Sequence, residues 1–422
     1  MIPQVLQKLH ITKTLCFSIF RFFFGLLMIE QVASLVPFVY DLQNSTLVLH
    51  YPYLDFIEAY SLGLIAILKY TAISAAFLLA IGILPRISAL LFCLSFGYLF
   101  LIDMSFYNNH YYLWCLLSFL FVLVDTDKSI SIIDILRGHT DKQISDFAVQ
   151  SFKILITIVY LYAAIVKINP DWLQGYPATL WFENRGFSNA RLLGILMSYS
   201  GLMYDALMPV LLWFYARKIV LIVPYFLFHL INAQLFNIGM FPYVMILAWL
   251  LFYASDVQPL NVFLKELQAT LFTNLKTTVF VLFMGYNILF PLRFLLYEGR
   301  TSWHRQGYYF SWRMMLDNYE PIDFKFRVKL PSLNEEYYVQ FSKMITYRQF
   351  QNTYNDAYCI WKVAQKLKED AKLKYKEPNP EVYNIAVVAL NQHPAKILID
   401  KDLNLAAVHY SLFKSNKFIN EF

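Results

Sequence analysis

The sequence has little charge and few cysteines for its length. Of its 422 residues, 15% are charged and 4 are cysteines, and the cysteines show no spacing typical of metal ligands. Cys16, Cys93 and Cys115 lie in apolar segments, where cysteine usually serves as a small buried apolar residue. We therefore predict neither a disulfide framework nor a structural metal site.

The motifs of several common enzyme classes are also missing. The chain contains no GxxxxGK[ST], no HExxH and no GxSxG with partner residues. The sequence therefore lacks the motifs expected for nucleotide hydrolysis, zinc proteolysis and serine hydrolysis. The net charge of +6 is spread over short loops and the C-terminal third. This distribution argues against a nucleic-acid partner. It is better explained by the basic loops that set the orientation of a membrane protein.

Apolar residues are abundant instead. Hydrophobic residues make up 58% of the chain and aromatic residues 18%, more than a soluble domain of this size could carry on its surface. Apolar runs long enough to cross about 30 Å of hydrocarbon recur as far as residue 297, which predicts an all-α multi-pass membrane bundle of about nine transmembrane helices. We expect SIIDILRG and ARLLGILMSYS to lie at the membrane interface rather than to cross it.

The C-terminal part has a different pattern. The stretch IDFKFRVKLPSLNEEYYVQF alternates apolar and charged residues around a PSLN turn, which predicts a β-hairpin. A helix is expected over 347–375, and EVYNIAVVAL and AKILIDKDLNL resemble two more strands. We therefore predict a transmembrane helical domain at 1–297 and a small α+β domain at 298–422.

The positions of lysine and arginine predict the orientation. With a cytoplasmic N-terminus, the inner loops contain Arg86, Lys128 and Arg217, whereas the outer loop at 41–56 has no Lys or Arg. The first apolar run lacks a cleavage site and is expected to remain as a span. The C-terminal domain and the candidate site are then extracytoplasmic. Glu30 and Lys69, near the middle of the first two spans, are expected to form a structural ion pair.

Polar side chains from four separate segments are predicted to lie at one depth of the bilayer. Such groups are costly in a membrane unless they face each other or water, so they indicate a site. Taken singly, Lys167 could be a snorkelling anchor and a histidine could be a hydrogen-bond partner between helices. The candidate residues are Asn109, His110, Lys167, His229, Asn232, Gln234 and Tyr308.

Three of these segments resemble a known family. The similarity is to the vitamin K-dependent gamma-glutamyl carboxylases, whose membrane part is of the HTTM type. The similar stretches are YLYAAIVKINPDWLQGY, FHLINAQLFNIGMFPYVM, SFYNNHYYLW and, further on, GYYFSWRMM, and the string FNIGMFPYVM is the most specific of them. The chain thus resembles a short member of that family, and the lack of disulfides favours a bacterial source. Compared with animal members, it is expected to lack the larger luminal domain that helps to recruit the propeptide.

The resemblance implies a reaction and roles for the candidate residues. Lys167 would be the base that deprotonates reduced vitamin K, a phylloquinol or menaquinol, and His110 a second catalytic residue beside the quinone. The remaining candidates, Asn109, His229, Asn232, Gln234 and Tyr308, are expected to bind substrate, with Tyr308 in the region associated with glutamate. O₂ and CO₂ are the implied co-substrates, and no metal is implied. An apolar surrounding favours the neutral lysine amine that a base requires.

Three functions remain open from the sequence. The first is an integral membrane carboxylase that oxygenates a reduced naphthoquinone and carboxylates glutamate in a peptide or protein. The second is a quinone epoxidase, or another quinone-dependent membrane enzyme, with a different acceptor. The third is a non-catalytic quinone-binding or transport protein. The expected location is a bacterial inner membrane, or the endoplasmic reticulum in a eukaryote.

Overall fold

The structure is a computed structural model that describes residues 12–57, 61–254, 265, 267–268 and 274–422. Most of the chain up to residue 304 is helical. The helices are, in chain order, α1 (Lys13–Asp41), α2 (Leu62–Ile81), α3 (Pro85–Leu101), α4 (Asn109–Leu123), α5 (Ile132–Arg137), α6 (Asp146–Lys167), α7 (Pro170–Leu173), α8 (Ala178–Glu183), α9 (Ala190–Tyr215), α10 (Ile219–Leu235), α11 (Phe241–Ala254), α12 (Leu275–Leu289) and α13 (Thr301–His304).

Five segments of the described part are long and apolar enough to cross a membrane. They are Lys13–Asn44, Leu62–Ile81, Asp146–Lys167, Ala190–Tyr215 and Leu275–Leu296. The helices α3, α4, α10 and α11 are also apolar but shorter, at 10–17 residues. The prediction of about nine spans is therefore not confirmed, because four of the apolar runs form helices below the usual spanning length.

Two other predictions about the helical part are wrong. ARLLGILMSYS does not lie apart at the interface, because its apolar residues continue without a break into α9, a single helix of 26 residues. Glu30 is exposed and Lys69 lies 5.3 Å from the ring of Tyr70, so the two do not form the expected ion pair. The helices α1 and α2 pack instead through Gly25, where an added Cβ would lie 2.6 Å from the carbonyl oxygen of Ala76.

The C-terminal part contains an antiparallel sheet, to which the predicted strand AKILIDKDLNL contributes only Lys396–Ile397. Strands β1 (Tyr319–Leu330), β2 (Glu335–Tyr338), β3 (Glu381–Leu390) and β4 (Lys396–Ile397) form an antiparallel sheet in the order β2-β1-β3-β4. The β1–β2 pair confirms the predicted hairpin. Every second residue of β3 is buried, as expected for a strand with one face against a core.

The predicted helix at 347–375 is divided in two. It forms α14 (Tyr347–Thr353) and α15 (Ala357–Tyr375), and α15 packs against β1 and β3. Asp356 separates the two helices as the N-cap of α15, since its Oδ1 accepts hydrogen bonds from the backbone N–H of Tyr358 at 2.9 Å and Cys359 at 3.0 Å. This cap was not visible in the helical periodicity alone.

Buried carboxylates join the C-terminal part to the helical part. Asp103 Oδ2, after α3, accepts from Gln349 Nε2 of α14 at 2.8 Å. Asp171 of α7 accepts from Arg300 Nη1 at 3.2 Å, His393 Nε2 at 2.9 Å and Asn391 Nδ2 at 3.1 Å. These contacts fix the sheet domain over one end of the helical bundle.

Asp171→Asn should destabilise the protein. The substitution keeps the side-chain shape but removes the charge that Arg300 and His393 contact, and we expect a loss of about 1–3 kcal/mol in the free energy of unfolding. Denaturant titration in detergent would measure it. The matched control is Asp323→Asn, which breaks an exposed pair with Lys325 and should have little effect. Equal effects of the two substitutions would contradict this role of Asp171.

Candidate active site

The break after α6 fixes the position of Lys167. The helix ends at Lys167, and α7 starts three residues later with Pro170 at its first position. Proline suits that position because its fixed φ and missing N–H are tolerated there. Asn169 caps the new helix by accepting a hydrogen bond from the Trp172 backbone N–H at 3.0 Å. The lysine therefore lies at a sharp turn between two helices.

Two glycines allow the turn to pack closely against α9. Gly175 has a φ of +89°, and a Cβ there would lie 2.9 Å from the backbone nitrogen of Ile195. A Cβ on Gly194 would lie 2.2 Å from Thr179 Oγ1. Trp172 Nε1 adds a hydrogen bond to the Ser198 carbonyl oxygen at 2.8 Å. This close approach brings the middle of α9 opposite the end of α6.

Asp205 of α9 is the partner of Lys167. Lys167 Nζ donates a hydrogen bond to Asp205 Oδ2, and the two residues are only 9% and 6% exposed. Nζ also lies 5.2 Å from the Trp172 ring centroid. Asp205 was missed in the sequence analysis. Its signal was an acidic residue within the apolar run GLMYDALMP, which in a membrane helix by itself suggests a functional partner.

Lys167 and Asp205 face a cavity of about 360 Å³. This Lys167 cavity brings together four of the residues predicted from the sequence, namely His110, Lys167, His229 and Asn232. Its other walls are mainly aromatic and methionine side chains. They include Tyr160, Trp172, Phe228, Phe236, Phe241, Met245, Met314 and Met315.

The two histidines of the cavity have different surroundings. The ring of His110 stacks on Phe241, with centroids 4.2 Å apart and planes 18° apart, and within the described ranges its ring nitrogens have no hydrogen bond. His229 Nε2 is 2.8 Å from the Tyr160 hydroxyl, whereas its Nδ1 has no partner among the described residues. His110 is thus the histidine with more freedom to contact a ligand.

Asn109 and Tyr308 lie in an adjoining polar cavity of about 230 Å³. This Arg313 cavity shares His110, Met314 and Met315 with the Lys167 cavity. Asn109 Nδ2 donates to the Arg313 carbonyl oxygen at 2.9 Å, and Asn109 Oδ1 accepts from the Tyr107 hydroxyl at 2.8 Å. Asn109 therefore holds the chain around Arg313 in place. Gln234 is exposed and lines neither cavity.

A third cavity, of about 670 Å³, lies beside the Arg313 cavity and shares Arg305 and Tyr309 with it. Tyr51, Phe100, Arg293 and Tyr297 are among its lining residues, and we call it the Tyr51 cavity. In the part of the chain that the structure covers, no group of three His, Cys, Asp or Glu side chains could hold a metal ion. All four cysteines are free.

The apolar helices of spanning length indicate an integral membrane protein, and a cavity among them is lined by a buried lysine and two histidines. Residues 10–257 match the HTTM domain, and residues 272–422 match the lumenal domain of vitamin K-dependent gamma-carboxylase. The chain belongs to the vitamin K-dependent gamma-carboxylase family. No solved structure matches it.

Asp205→Leu should destabilise the protein more than loss of the whole pair. Removal of one partner leaves a buried charge uncompensated, which typically costs about 3–5 kcal/mol. The double variant Lys167→Met/Asp205→Leu replaces both with apolar side chains and should recover most of that loss. Denaturant titration in detergent of Lys167→Met, Asp205→Leu, the double variant and the unmodified protein gives the interaction energy between the two side chains. Additive effects would contradict direct pairing.

Proposed function

We propose that the protein oxygenates a reduced naphthoquinone in the Lys167 cavity and couples this reaction to the carboxylation of a glutamate side chain in a peptide or protein. The observation that carries the proposal is the buried Lys167–Asp205 pair in the wall of an aromatic cavity. Family membership supports the substrate classes, which are reduced vitamin K, O₂, CO₂ and glutamate.

The size and lining of the Lys167 cavity suit a flat apolar ring. Its volume of about 360 Å³ falls within the range of small-molecule sites, which are mostly apolar with a few convergent polar groups. Phe241 and Trp172 offer ring faces for stacking. Ile231 of α10, which also lines the cavity, is 46% exposed. A lipid-soluble quinol could therefore enter sideways from the membrane with its isoprenoid chain trailing outward.

Asp205 gives Lys167 a way to act as a base. An amine accepts a proton only when it is neutral, and the adjacent carboxylate can take the proton of the ammonium group. Transfer of this proton from Lys167 to Asp205 would leave an uncharged amine beside an uncharged carboxylic acid. When Lys167 then removes the hydroquinone proton, its positive charge forms beside the hydroquinone anion. The cavity as a whole remains electrically neutral throughout this step.

His110 is suited to stabilise the negative charge on the quinol. Its ring is held by the stack on Phe241, so an N–H donor would point into the cavity in a fixed direction. Fixed donors aimed at developing negative charge are among the largest contributions to catalysis. His229 is held by Tyr160 and would contribute mainly to the shape and polarity of the wall.

The proposed reaction balances without a metal. The hydroquinone anion reacts with O₂, and the resulting alkoxide removes a γ-proton from glutamate. CO₂ adds to the carbanion, and the quinone leaves as its epoxide. The sum is hydroquinone, O₂, CO₂ and glutamate converted to epoxide, γ-carboxyglutamate and water. Epoxide formation without carboxylation would follow if a different molecule supplied the proton.

Lys167→Arg should abolish turnover and leave the fold intact. Arginine can keep the ion pair with Asp205 but does not deprotonate in proteins. We expect epoxide formation to fall by about 10²–10⁴-fold. The assay supplies purified protein in detergent with menaquinol, labelled bicarbonate and a Glu-containing peptide, and follows epoxide and incorporated label. The matched control is Lys13→Arg, which should remain active. Lys13 pairs with Asp146, and the two are the first residues of α1 and α6, at the other end of α6 from Lys167.

The outcomes separate the candidate functions. Epoxide with incorporated label supports carboxylation of glutamate, whereas epoxide without label supports a different acceptor. If the unmodified protein forms neither product, the proposed oxygenation is wrong. Retained turnover in Lys167→Arg would exclude Lys167 as the base and favour a role as an anchor.

A further inference from the structure

The Arg313 cavity contains a buried cation with an unsatisfied donor. Arg313 is 9% exposed, and its Nε has no hydrogen-bond partner among the described residues. Its guanidinium lies 5.0 Å from the ring centroid of Phe294, and within those residues it forms no ion pair. A buried guanidinium with unused donors lowers stability unless a ligand completes its contacts.

The backbone around Arg313 is held in place independently of the side chain. Asn109 Nδ2 donates to the Arg313 carbonyl oxygen at 2.9 Å, and Asn109 is itself held by Tyr107. The segment is therefore tied to the N-terminal end of α4, directly beside His110. A ligand bound to Arg313 would lie next to the wall that separates the two cavities.

Arg305 adds a second guanidinium to the same cavity. It lies between the rings of Tyr308 and Tyr319, with centroid distances of 4.7 Å and 4.8 Å, and its Nε is 3.4 Å from the Tyr319 hydroxyl. The described residues that line this cavity include no Asp or Glu. Burial raises the pKa of the carboxyl groups of Asp317 and Asp356, which lie outside this lining. The lining of the cavity thus contains two guanidinium groups and, among the described residues, no carboxylate.

We infer that Arg313, supported by Arg305, binds the carboxylate of the acceptor substrate at the edge of the Lys167 cavity. The inference rests on the proposed function, because it adds an anchoring site for the molecule that is deprotonated. A guanidinium matches a carboxylate with two parallel hydrogen bonds. It would also stabilise the charge that moves onto the carboxylate oxygens when the γ-proton is removed.

The geometry explains how one arginine could serve both cavities. His110, Met314 and Met315 line the Arg313 cavity and the Lys167 cavity, so the acceptor and the quinol would meet across a wall one side chain thick. The carboxylate is held on the polar side, and the carbon beside it extends towards the apolar side. Loss of Arg313 would then weaken acceptor binding without changing the site for the quinol.

Direct binding tests this inference without any turnover. The probes are a fluorescent Glu-containing peptide and the same peptide with Gln in place of Glu, and anisotropy is measured with the full protein in detergent without quinol. The unmodified protein should bind the Glu peptide more tightly. Arg313→Gln should weaken binding of the Glu peptide at least about ten-fold, the loss of a charge-assisted bidentate contact, and leave the Gln peptide unchanged. Arg313→Lys should have an intermediate effect.

Controls distinguish binding from folding. Arg327→Gln removes a cation from strand β1 outside the cavities and should not change either affinity. Because the Nε of Arg313 has no partner, Arg313→Gln should unfold no earlier than the unmodified protein. If that variant nevertheless fails to fold, Arg313→Lys and the comparison of the two peptides on the unmodified protein decide the question.

Two results would overturn the inference. One is equal binding of the Glu and Gln peptides by the unmodified protein, including no binding of either, and the other is full affinity for the Glu peptide in Arg313→Gln. Epoxide formation is measured separately, in the turnover assay with the unmodified protein. A protein that forms epoxide but binds the peptides equally would refute the role of Arg313 and leave quinol oxygenation standing. Glu-selective binding without epoxide formation would refute quinol oxygenation and leave the role of Arg313 standing.

Discussion

A lysine buried among apolar helices requires a partner, and the Lys167–Asp205 pair meets this requirement between α6 and α9. The pair can form only because the turn after α6 packs directly on α9, with Gly175 and Gly194 at the points of closest approach. Trp172 then covers Nζ and holds α9 through the Ser198 carbonyl oxygen. The cavity, its aromatic walls and its proposed chemistry all depend on this contact between two helices.

The C-terminal part contributes residues to the walls of the Lys167 cavity and the Arg313 cavity. The chain from Arg305 to Met315 runs along both smaller cavities, and Asn109 fastens its backbone at Arg313. Asp103 and Asp171 tie the sheet domain to the helical bundle through Gln349 and through Arg300, Asn391 and His393. This arrangement separates the mostly apolar Lys167 cavity from the polar Arg313 cavity, with His110 at the boundary.

The sequence predicted part of this arrangement for clear physical reasons. Period-two patterning indicated the β1–β2 hairpin and β3, and the shared depth of polar residues led to His110, Lys167, His229 and Asn232, which line one cavity. Asp205 was missed because the candidate residues were chosen at the outer ends of the predicted spans, whereas Asp205 lies within the apolar run of α9. Arg313 could not be placed because Arg305, Phe310, Trp312 and Met315 adopt left-handed backbone conformations, which no local propensity predicts for such residues. Gln234 was predicted because it lies in the same segment as His229 and Asn232, but its side chain is exposed.

The central claim is that the cavity beside Lys167 and Asp205 holds the quinol. The most direct measurement is an experimental structure of the protein in lipid nanodiscs with menaquinol, prepared without oxygen. The account predicts the naphthalene ring between Phe241 and Trp172, with one hydroxyl oxygen within about 3.2 Å of Lys167 Nζ and the isoprenoid chain leaving past Ile231. A ring in the Tyr51 cavity, or a Lys167 that stays paired only with Asp205 and away from the bound quinol, would contradict it.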